Sequence, residues 1–513
     1  PQGTGLAHQD VANAGVLGRA LHGGPVIGLG AQRPVGSGRA SAAIDGAGDG
    51  LAVVKASPLA AMTGGVVDGW SAAGPVRTLL DLRIPLDDRS EPVVTVDASA
   101  DGALLRVQPG GLVFENLSGR VGYASGSGFS SDDLVGTLWG SPVSASLSQA
   151  GADAPLALRF AGKGLPMAAL FDWLQLDIPA VASGEADAFG DLLLRRDQPA
   201  RLTLASDLTG VALALPAPWG KTAAEPRSLA VDLRLARERI AVDLALGDRV
   251  AGRLDLADGA LSGGNLRLEA DWLQGALELG GPVPRLLLDY LDLDGLPEQA
   301  GEADFDAAYR VLRPVGVDIL ELRRAGERVG HLAFELDREA DAIVARGIRG
   351  ELFGLRSRSE EGGVLRWAAG ETQFAIDVAF DDLGQVLLAL GYAPTLVTDN
   401  GSASADLRWS GSPRALALAT LAGTVAVEGR DGRLLEAKGS AGALKVLSLL
   451  NLAEILRGLS LSHMFESGIP FERAASEFRF RRGSMEIPAL TLRGAASAFE
   501  FSGVTRLAAS EPS

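Results

Sequence analysis

The chain of 513 residues contains no cysteine, and aromatic residues make up only 5% of it. The absence of cysteine excludes disulfide scaffolds, thiolate metal sites and cysteine nucleophiles. Histidine is scarce as well, and its few copies are scattered singly along the chain. These are His8, His22, His331 and His463. We therefore expect neither a histidine-built metal centre nor a cofactor.

Positive charge is also in short supply, because 47 Lys and Arg stand against 64 Asp and Glu, which gives a formal net charge of −17. We expect no nucleic-acid partner, since phosphate binding requires clustered positive charge. No run of about 18 uncharged apolar residues occurs, so the sequence predicts no membrane-spanning helix. The hydrophobic content of 47% excludes a disordered chain.

The length of the chain exceeds that of one ordinary compact core, which stops growing at roughly 250–300 residues. Its apolar residues are mostly aliphatic and spread along the whole sequence, and the mean hydropathy is +0.17. The chain is therefore either multi-domain or an elongated repeating architecture.

The catalytic motifs that a sequence can reveal are missing. Gly220-Lys221-Thr222 matches the end of a phosphate-binding loop, but Leu215 stands where that loop requires a glycine. Pro216 and Pro218 would block an amide cradle, so we expect a stiffened turn between strands. Neither a G-x-S-x-G elbow nor a G-x-G-x-x-G loop occurs. We expect no enzymatic activity.

Short segments of alternating apolar and polar residues recur along most of the chain, most clearly in 228–280. Period-2 alternation is typical of a strand with one buried and one solvated face, so we predict an antiparallel meander here. Asp243 and Arg267 are predicted to face solvent. The residues predicted to line the apolar face are Leu229, Val231, Leu233, Leu235, Ile240, Val242, Leu244, Leu246, Leu266 and Leu268.

The organisation predicted from these patterns has four parts. We expect residues 1–50 to be a poorly defined, loop-rich N-terminal edge of a fragment. Residues 51–440 are predicted to form a repetitive antiparallel β-region. An apolar helix and the segment after it occupy 441–470, and the C-terminal strands occupy 471–513.

Three short segments have the apolar content and length of helices with about three turns. They lie near 165–176, 284–293 and 381–392. The last of them begins with two aspartates, which are favourable at a helix N-terminus, and ends near a glycine.

The longest predicted helix covers 441–459. Its polar residues fall every three positions and spiral around the helix, so the helix is apolar on nearly every side. Such a helix is either a buried cap on the last strands or a lid that contacts lipid, and the sequence leaves both readings open. The candidate lid residues are Leu444, Leu447, Leu450, Ile455 and Leu456.

A few short helices cannot cover the apolar face of so many strands. Either two sheets cover each other as a sandwich, or the face lines a groove that holds something apolar. A groove with an aliphatic floor suits acyl chains, which need contact area and no hydrogen bonds. Periodicity alone does not distinguish the two arrangements.

Several strings in the chain resemble the AsmA-like envelope protein family, in particular its YhdP branch. They run in the family's order from about residue 51 to the C-terminus. The resembling strings are LSGRVGYASGSGFSSDDLVGTLWGSPV (117–143), SDLTGVALALPAPWGK (206–221), DDLGQVLLALGYAP (381–394), ADLRWSGSP (405–413) and DGRLLEAKGSAGALKVLSLLNL (431–452). Where the family usually has an acidic, Phe-containing segment, this chain has LSLSHMFESGIPF (459–471).

The resemblance implies an all-β chain with a few short helices, folded as an elongated, curled antiparallel sheet. That sheet would form a taco-like groove with an apolar interior. The implied protein lies in the periplasm of a Gram-negative bacterium and is anchored in the inner membrane by an upstream helix. Its C-terminus is expected near the outer membrane, and its partners would be the acyl chains of phospholipids.

The function implied by the resemblance is that of a lipid conduit, which bridges the two membranes and moves phospholipid towards the outer one. Two other functional classes compete with it. A non-catalytic structural or adhesive β-repeat protein of the envelope would have a filled core and no ligand. A glycan-acting enzyme would require paired carboxylates in an aromatic-lined cleft, and the low aromatic content disfavours it.

Overall fold

The computed structural model divides the chain into two compact units, Pro1–Ser262 and Gly263–Ser513. Strands dominate both units. The residues that the structure describes are 37–56, 69–85, 93–107, 112–151, 154–173, 181–195, 198–215, 217–236, 239–258, 260–296, 305–306, 309, 312–391, 394, 396–435, 468–495 and 498–506.

The first unit is built from strands in which apolar and polar residues alternate, as the pleat of a one-sided sheet requires. Its strands are β1 (Ser37–Asp45), β2 (Ser71–Ala73), β3 (Val76–Pro85), β4 (Val93–Val107), β5 (Leu112–Ala124), β6 (Gly128–Leu138), β7 (Ser141–Ser148), β8 (Leu156–Pro166), β9 (Ala182–Leu194), β10 (Ala200–Ser206), β11 (Val211–Leu213), β12 (Leu229–Leu235), β13 (Arg239–Leu246) and β14 (Val250–Ala257).

The second unit continues the same pattern, and its first strand begins in the last residues of the first unit. Its strands are β15 (Ala260–Ala270), β16 (Leu273–Leu279), β17 (Arg285–Asp292), β18 (Val315–Arg324), β19 (Glu327–Arg338), β20 (Ala342–Leu352), β21 (Leu355–Ser357), β22 (Gly363–Ala368), β23 (Glu371–Phe380), β24 (Leu396–Ser410), β25 (Ala422–Leu434), β26 (Ile469–Arg481), β27 (Ser484–Arg493) and β28 (Ala498–Arg506).

Strands pair with neighbours that are next, or nearly next, in sequence. In the first unit the described ladder is antiparallel throughout, with β11 pairing to β9 beyond the end of β10. In the second unit β17 pairs with β18 in parallel, and the other described pairings are antiparallel. Register shifts interrupt several ladders, among them β4–β5, β8–β9 and β18–β19. Such irregularities bend strands and increase their twist, which curls a sheet.

Three short α-helices accompany the described strands: α1 (Ala47–Ala56), α2 (Met167–Trp173) and α3 (Leu383–Ala389). A 3₁₀ turn covers Pro413–Ala415. The Asp382 side chain caps α3 by accepting a hydrogen bond from the Gly384 amide at 2.8 Å. The predicted fold class, all-β with a few short helices and a curled sheet, is confirmed.

Two local predictions are wrong. The segment 284–293 was expected to be a helix, but Arg285–Asp292 is strand β17, which is held on one side by β16 and on the other by β18. A short apolar run fits a buried helix and a strand paired on both sides equally well. Here pairing with β16 and β18 favours the strand. The loop-rich expectation for 1–50 also fails where the structure describes that range, because it contains β1 and the start of α1.

Candidate functional site

One face of the first unit's sheet presents a continuous apolar row. Six neighbouring strands contribute one residue each, and every residue lies directly opposite the next one across the ladder. At a strand spacing of ~4.8 Å the row is roughly 24 Å wide. From β8 to β14 its members are Leu158, Leu192, Leu202, Leu233, Val242 and Leu254.

The side chains of the apolar row are half-buried, except that of Leu233, which is 5% exposed. In a sandwich a facing sheet packs about 10 Å away and buries such a row. Within the part of the first unit that the structure describes, the row is therefore not covered as the floor of a filled core would be. It is an open apolar surface.

The predicted lining residues of β12 and β13 meet in directly opposite pairs. The pairs are Leu229–Leu246, Val231–Leu244, Leu233–Val242 and Leu235–Ile240. On β15, Leu266 lies opposite Leu277, and Leu268 lies opposite Gly275. The structure brings the predicted residues together on one face within each unit. Their contact with a ligand stays a prediction.

The pair Leu229–Leu246 differs from the other pairs in its surroundings. Both side chains pack against a buried cluster formed by Ala186, Leu208 and Val211. Two of these cluster residues come from the connection between β10 and β12, and helix α2 contributes a further contact. The apolar face is therefore covered at this end of β12 and β13 and open further along the two strands.

The opposite face of the same strands is bound together by ion pairs. Arg201 pairs with Asp232 on the neighbouring strand. Asp243 is held by Arg253, with an Nε–Oδ1 distance of 2.8 Å, and by Arg234, with an Nη2–Oδ2 distance of 3.2 Å. These side chains are partly to largely exposed, so each pair contributes little to stability. They mark this face as the solvated one.

The arginines around Asp243 change its ionisation. The hydrogen bond from the Arg253 guanidinium is the main cause that holds the pKa of Asp243 below its ordinary value of 3.8, and the charges of Arg253, Arg234 and Arg201 act in the same direction. The same hydrogen bond raises the pKa of Arg253. The face therefore keeps its charges at neutral pH.

The second unit has apolar rows of the same kind. The row that starts on β15 consists of Leu266, Leu277, Leu286, Val317 and Phe334. A row on β23–β25 consists of Ile376, Ala405 and Val425, and it continues to Phe478 of β26, which packs against the C-terminal core. All are half-buried except Val317.

The C-terminal strands differ from these open rows because they enclose a filled core. Its members are Leu434, Ile469, Phe471, Ala474, Met485, Ile487, Leu490 and Leu492. Phenylalanines of β26 and β28 pack against this cluster. Leu434 at the end of β25 lies directly opposite Ile469 at the start of β26. The ends of β25 and β26 therefore both belong to this core.

The Gly220-Lys221-Thr222 string proves to be a structural turn. The Lys221 ammonium donates hydrogen bonds to the backbone carbonyls of Leu208 and Thr222, each at 3.0 Å, and to that of Val211. An ammonium group has three protons to donate, and all three are used. The side chain is 6% exposed. Lys221 is therefore not available to a phosphate, which agrees with the predicted stiff turn.

A second cation supports the same turn. The Arg227 guanidinium donates hydrogen bonds to the carbonyls of Trp219 at 2.5 Å and Gly220 at 3.1 Å. Lys221 and Arg227 were not predicted to have a role. The signal that could have found them is the presence of two cations beside a proline-rich, otherwise apolar turn, which leaves backbone carbonyls without sheet partners.

Among the described ranges, no group of three or more His, Asp or Glu side chains is arranged to hold a metal ion. No helix in the described part of the chain has both the length and the apolar character to cross a membrane. The predicted helix 441–459, with its candidate residues Leu444, Leu447, Leu450, Ile455 and Leu456, lies outside the described residues. Its role as a lid or a cap stays open.

The fold and the site together define an all-β protein in which the sheet of the first unit has one open aliphatic face and one ion-paired face. The family model described as YhdP protein matches the chain over residues 39–342 and 288–511. The chain belongs to the YhdP family, a family of non-enzymatic proteins of the Gram-negative cell envelope. No curated protein and no solved structure gave a match to the chain.

Proposed function

We propose that this protein is a periplasmic, bridge-like lipid transfer protein. It carries phospholipid between the inner and the outer membrane along the apolar face of its sheet and so contributes to outer-membrane homeostasis. The observation that supports this function best is the half-buried, uncovered apolar row on β8–β14.

The dimensions of the apolar row suit an acyl chain. One leaflet of a bilayer has an apolar depth of about 15 Å, half of the ~30 Å core. The row is roughly 24 Å wide at a strand spacing of ~4.8 Å, so a whole acyl chain can lie across it. Covering apolar surface is favourable by about 25 cal/mol per Å². A ligand that supplies only hydrocarbon therefore gains affinity on this face without any hydrogen bond.

The proposed partners are phospholipid acyl chains and two membranes. We propose an inner-membrane anchor N-terminal to the residues present here and an outer-membrane contact near the C-terminus. Membership of an envelope family supports this placement. The lack of cysteine is compatible with the oxidising periplasm, where a free thiol is a liability.

A site-specific photo-crosslinker tests the proposal by comparing neighbouring positions on β13. Leu244 belongs to the apolar face, and Asp243 belongs to the ion-paired face. We expect a probe at position 244 to form adducts with phospholipid in cells, and a probe at position 243 to form none. The adducts are identified by mass spectrometry.

Lipid extraction from the gently purified protein provides an independent measurement. We expect phospholipid well above the level found in a control protein of equal size. A folded protein, as judged by far-UV circular dichroism, that contains only background lipid and labels at neither position would contradict the transfer function. That result would favour the structural or adhesive alternative.

A further inference from the structure

The connection between β10 and β12 closes one edge of the open apolar face. We propose that residues 207–215 and 217–227, which we name the rim segment, form a fixed wall at the edge of the lipid groove. Lys221 is the positioning residue that holds this wall in place. The inference rests on the proposed function, because a wall has a role only where acyl chains occupy the groove.

The rim segment covers the apolar face at one level of the strands only. Leu208 and Val211 are buried, at 4% and 0% exposure, and they pack against Leu229 and Leu246. The next pair along the same strands, Val231–Leu244, is half-buried as Leu229 and Leu246 are, but it does not pack against that cluster. The contacts of the rim segment with the apolar face therefore end between these two pairs.

The rim segment is attached to the sheet as well as packed on it. Strand β11 pairs with the start of β9, with Val211 opposite Gly184. A Cβ atom at Gly184 would collide with the Gly210 carbonyl, and one at Gly210 would collide with the Glu185 carbonyl. The two backbones approach each other directly here, which only glycine permits. This attachment fixes the position of the rim segment relative to the strands of the sheet.

Lys221 connects the two halves of the rim segment. Its backbone exchanges hydrogen bonds with Leu213, with N–O distances of 2.9 and 3.1 Å. Its ammonium group joins the carbonyls of Leu208, Val211 and Thr222. Without that group the buried carbonyl of Val211 and the part-buried carbonyl of Thr222 lose this partner, and that of Leu208 retains the hydrogen bond from the Val211 amide. Buried acceptors that lose a partner are costly. An uncharged replacement should therefore release Leu208 and Val211 from the apolar face.

The wall sets where an acyl chain can lie. In the intact protein a chain reaches Leu244 but is kept from Leu246, two residues further along the same strand and on the same face. Lipid is thereby confined to the open part of the face and kept from this edge. The boundary depends on Lys221, although Lys221 does not contact lipid.

The experiment places a leucine-sized diazirine crosslinker at position 244 or 246 of the full chain, with vesicles of phosphatidylethanolamine and phosphatidylglycerol as the lipid source. In the otherwise unchanged protein we expect adducts at position 244 and none at 246. In Lys221→Met we expect adducts at both positions. Hydrogen exchange of the amides of Val211 and Leu213 should become faster in the variant, while that of β12 and β13 stays slow.

A second variant keeps the test valid if Lys221→Met unfolds globally. Gly220→Ala places a Cβ against the Leu215 carbonyl and disturbs the rim segment without touching the lysine. It should also produce adducts at position 246. Labelling at 246 in the unchanged protein would overturn the wall. The wall would also be overturned if position 246 stayed unlabelled in both variants although hydrogen exchange showed that the rim segment had opened. Absence of labelling at 244 in the folded protein would instead overturn the proposed function.

Discussion

Asp232 of β12 and Asp243 of β13 lie directly opposite each other on the ion-paired face of the sheet. Two like charges in such a pair repel each other and destabilise a ladder. Here Arg201, Arg234 and Arg253 form ion pairs with the two carboxylates and offset this repulsion. The solvated face thus carries a compensated charge network, whereas the other face of these two strands has aliphatic contacts.

The charge network predicts the ionisation of Asp243. Its pKa in the folded protein should lie below the ordinary value of 3.8, mainly because Arg253 donates a hydrogen bond to the carboxylate. Carboxyl ¹³C chemical shifts followed through a pH titration measure it. Arg253→Ala should raise this pKa towards 3.8, and Arg159→Ala, which removes a different ion pair, should leave it unchanged.

The same shift determines how stability depends on acid. A carboxylate whose pKa is lowered by folding stabilises the protein above its unfolded pKa, and this stabilisation is lost as the pH falls through the folded pKa. Unfolding of Asp243→Asn should therefore depend less on pH below about 4 than that of the unchanged protein. If the free energy of unfolding fell equally with decreasing pH in both proteins, Asp243 would have the same pKa in the folded and unfolded states.

Lipid content should respond to charge on one face of β13 only. Leu244→Arg places a guanidinium on the apolar face, where burying a charge against hydrocarbon is costly, so co-purified phospholipid should fall severalfold. The matched control is Ala241→Arg, on the ion-paired face opposite Asp255, which should retain the lipid. Mass spectrometry of extracted lipid compares the two proteins. Equal loss in both variants would mean that the two faces are not functionally distinct.

Truncation of leucine should cost very different amounts in the filled core and on the open face. Leu492 is 1% exposed in the C-terminal core, so Leu492→Ala should destabilise its unit by about 2–5 kcal/mol through lost contacts and a cavity. Leu254 is half-buried on the open apolar row. Leu254→Ala removes less buried area and should cost about 1 kcal/mol. Denaturant unfolding measures both, and similar losses would indicate that the row is covered in solution.

The segment between β25 and β26 should be dispensable for folding. Leu434 and Ile469, which flank this segment, lie directly opposite each other on β25 and β26, and both belong to the C-terminal core. We therefore predict that Leu447→Asp combined with Leu450→Asp leaves the melting temperature nearly unchanged but abolishes binding to liposomes. Calorimetry and vesicle flotation measure the two effects. An early-melting double variant would establish the segment as a cap on the core rather than a lid.

The alternation of apolar and polar residues was enough to predict the strands of 228–280 and which residues share a face. Successive side chains of a strand point to opposite faces, so a sheet with one apolar face requires this alternation. The segment 284–293 was misassigned because its run of leucines fits a helix as well as a strand, and only pairing with β16 and β18 distinguishes them. The wall around Lys221 was not predicted, because the cations beside the proline-rich turn indicate a supported turn but not which backbone carbonyls Lys221 joins.

The parallel pairing of β17 with β18 determines the order in which this chain can assemble. Many other described strands follow their partner after a short connection, so their ladders grow hairpin by hairpin through rapid loop closures. Before β18 can pair, the chain must return along the full length of β17 through residues 293–314. Closing that longer loop costs more chain entropy than closing a hairpin. We therefore expect the β17–β18 ladder to form after the β16–β17 and β18–β19 hairpins on its two sides.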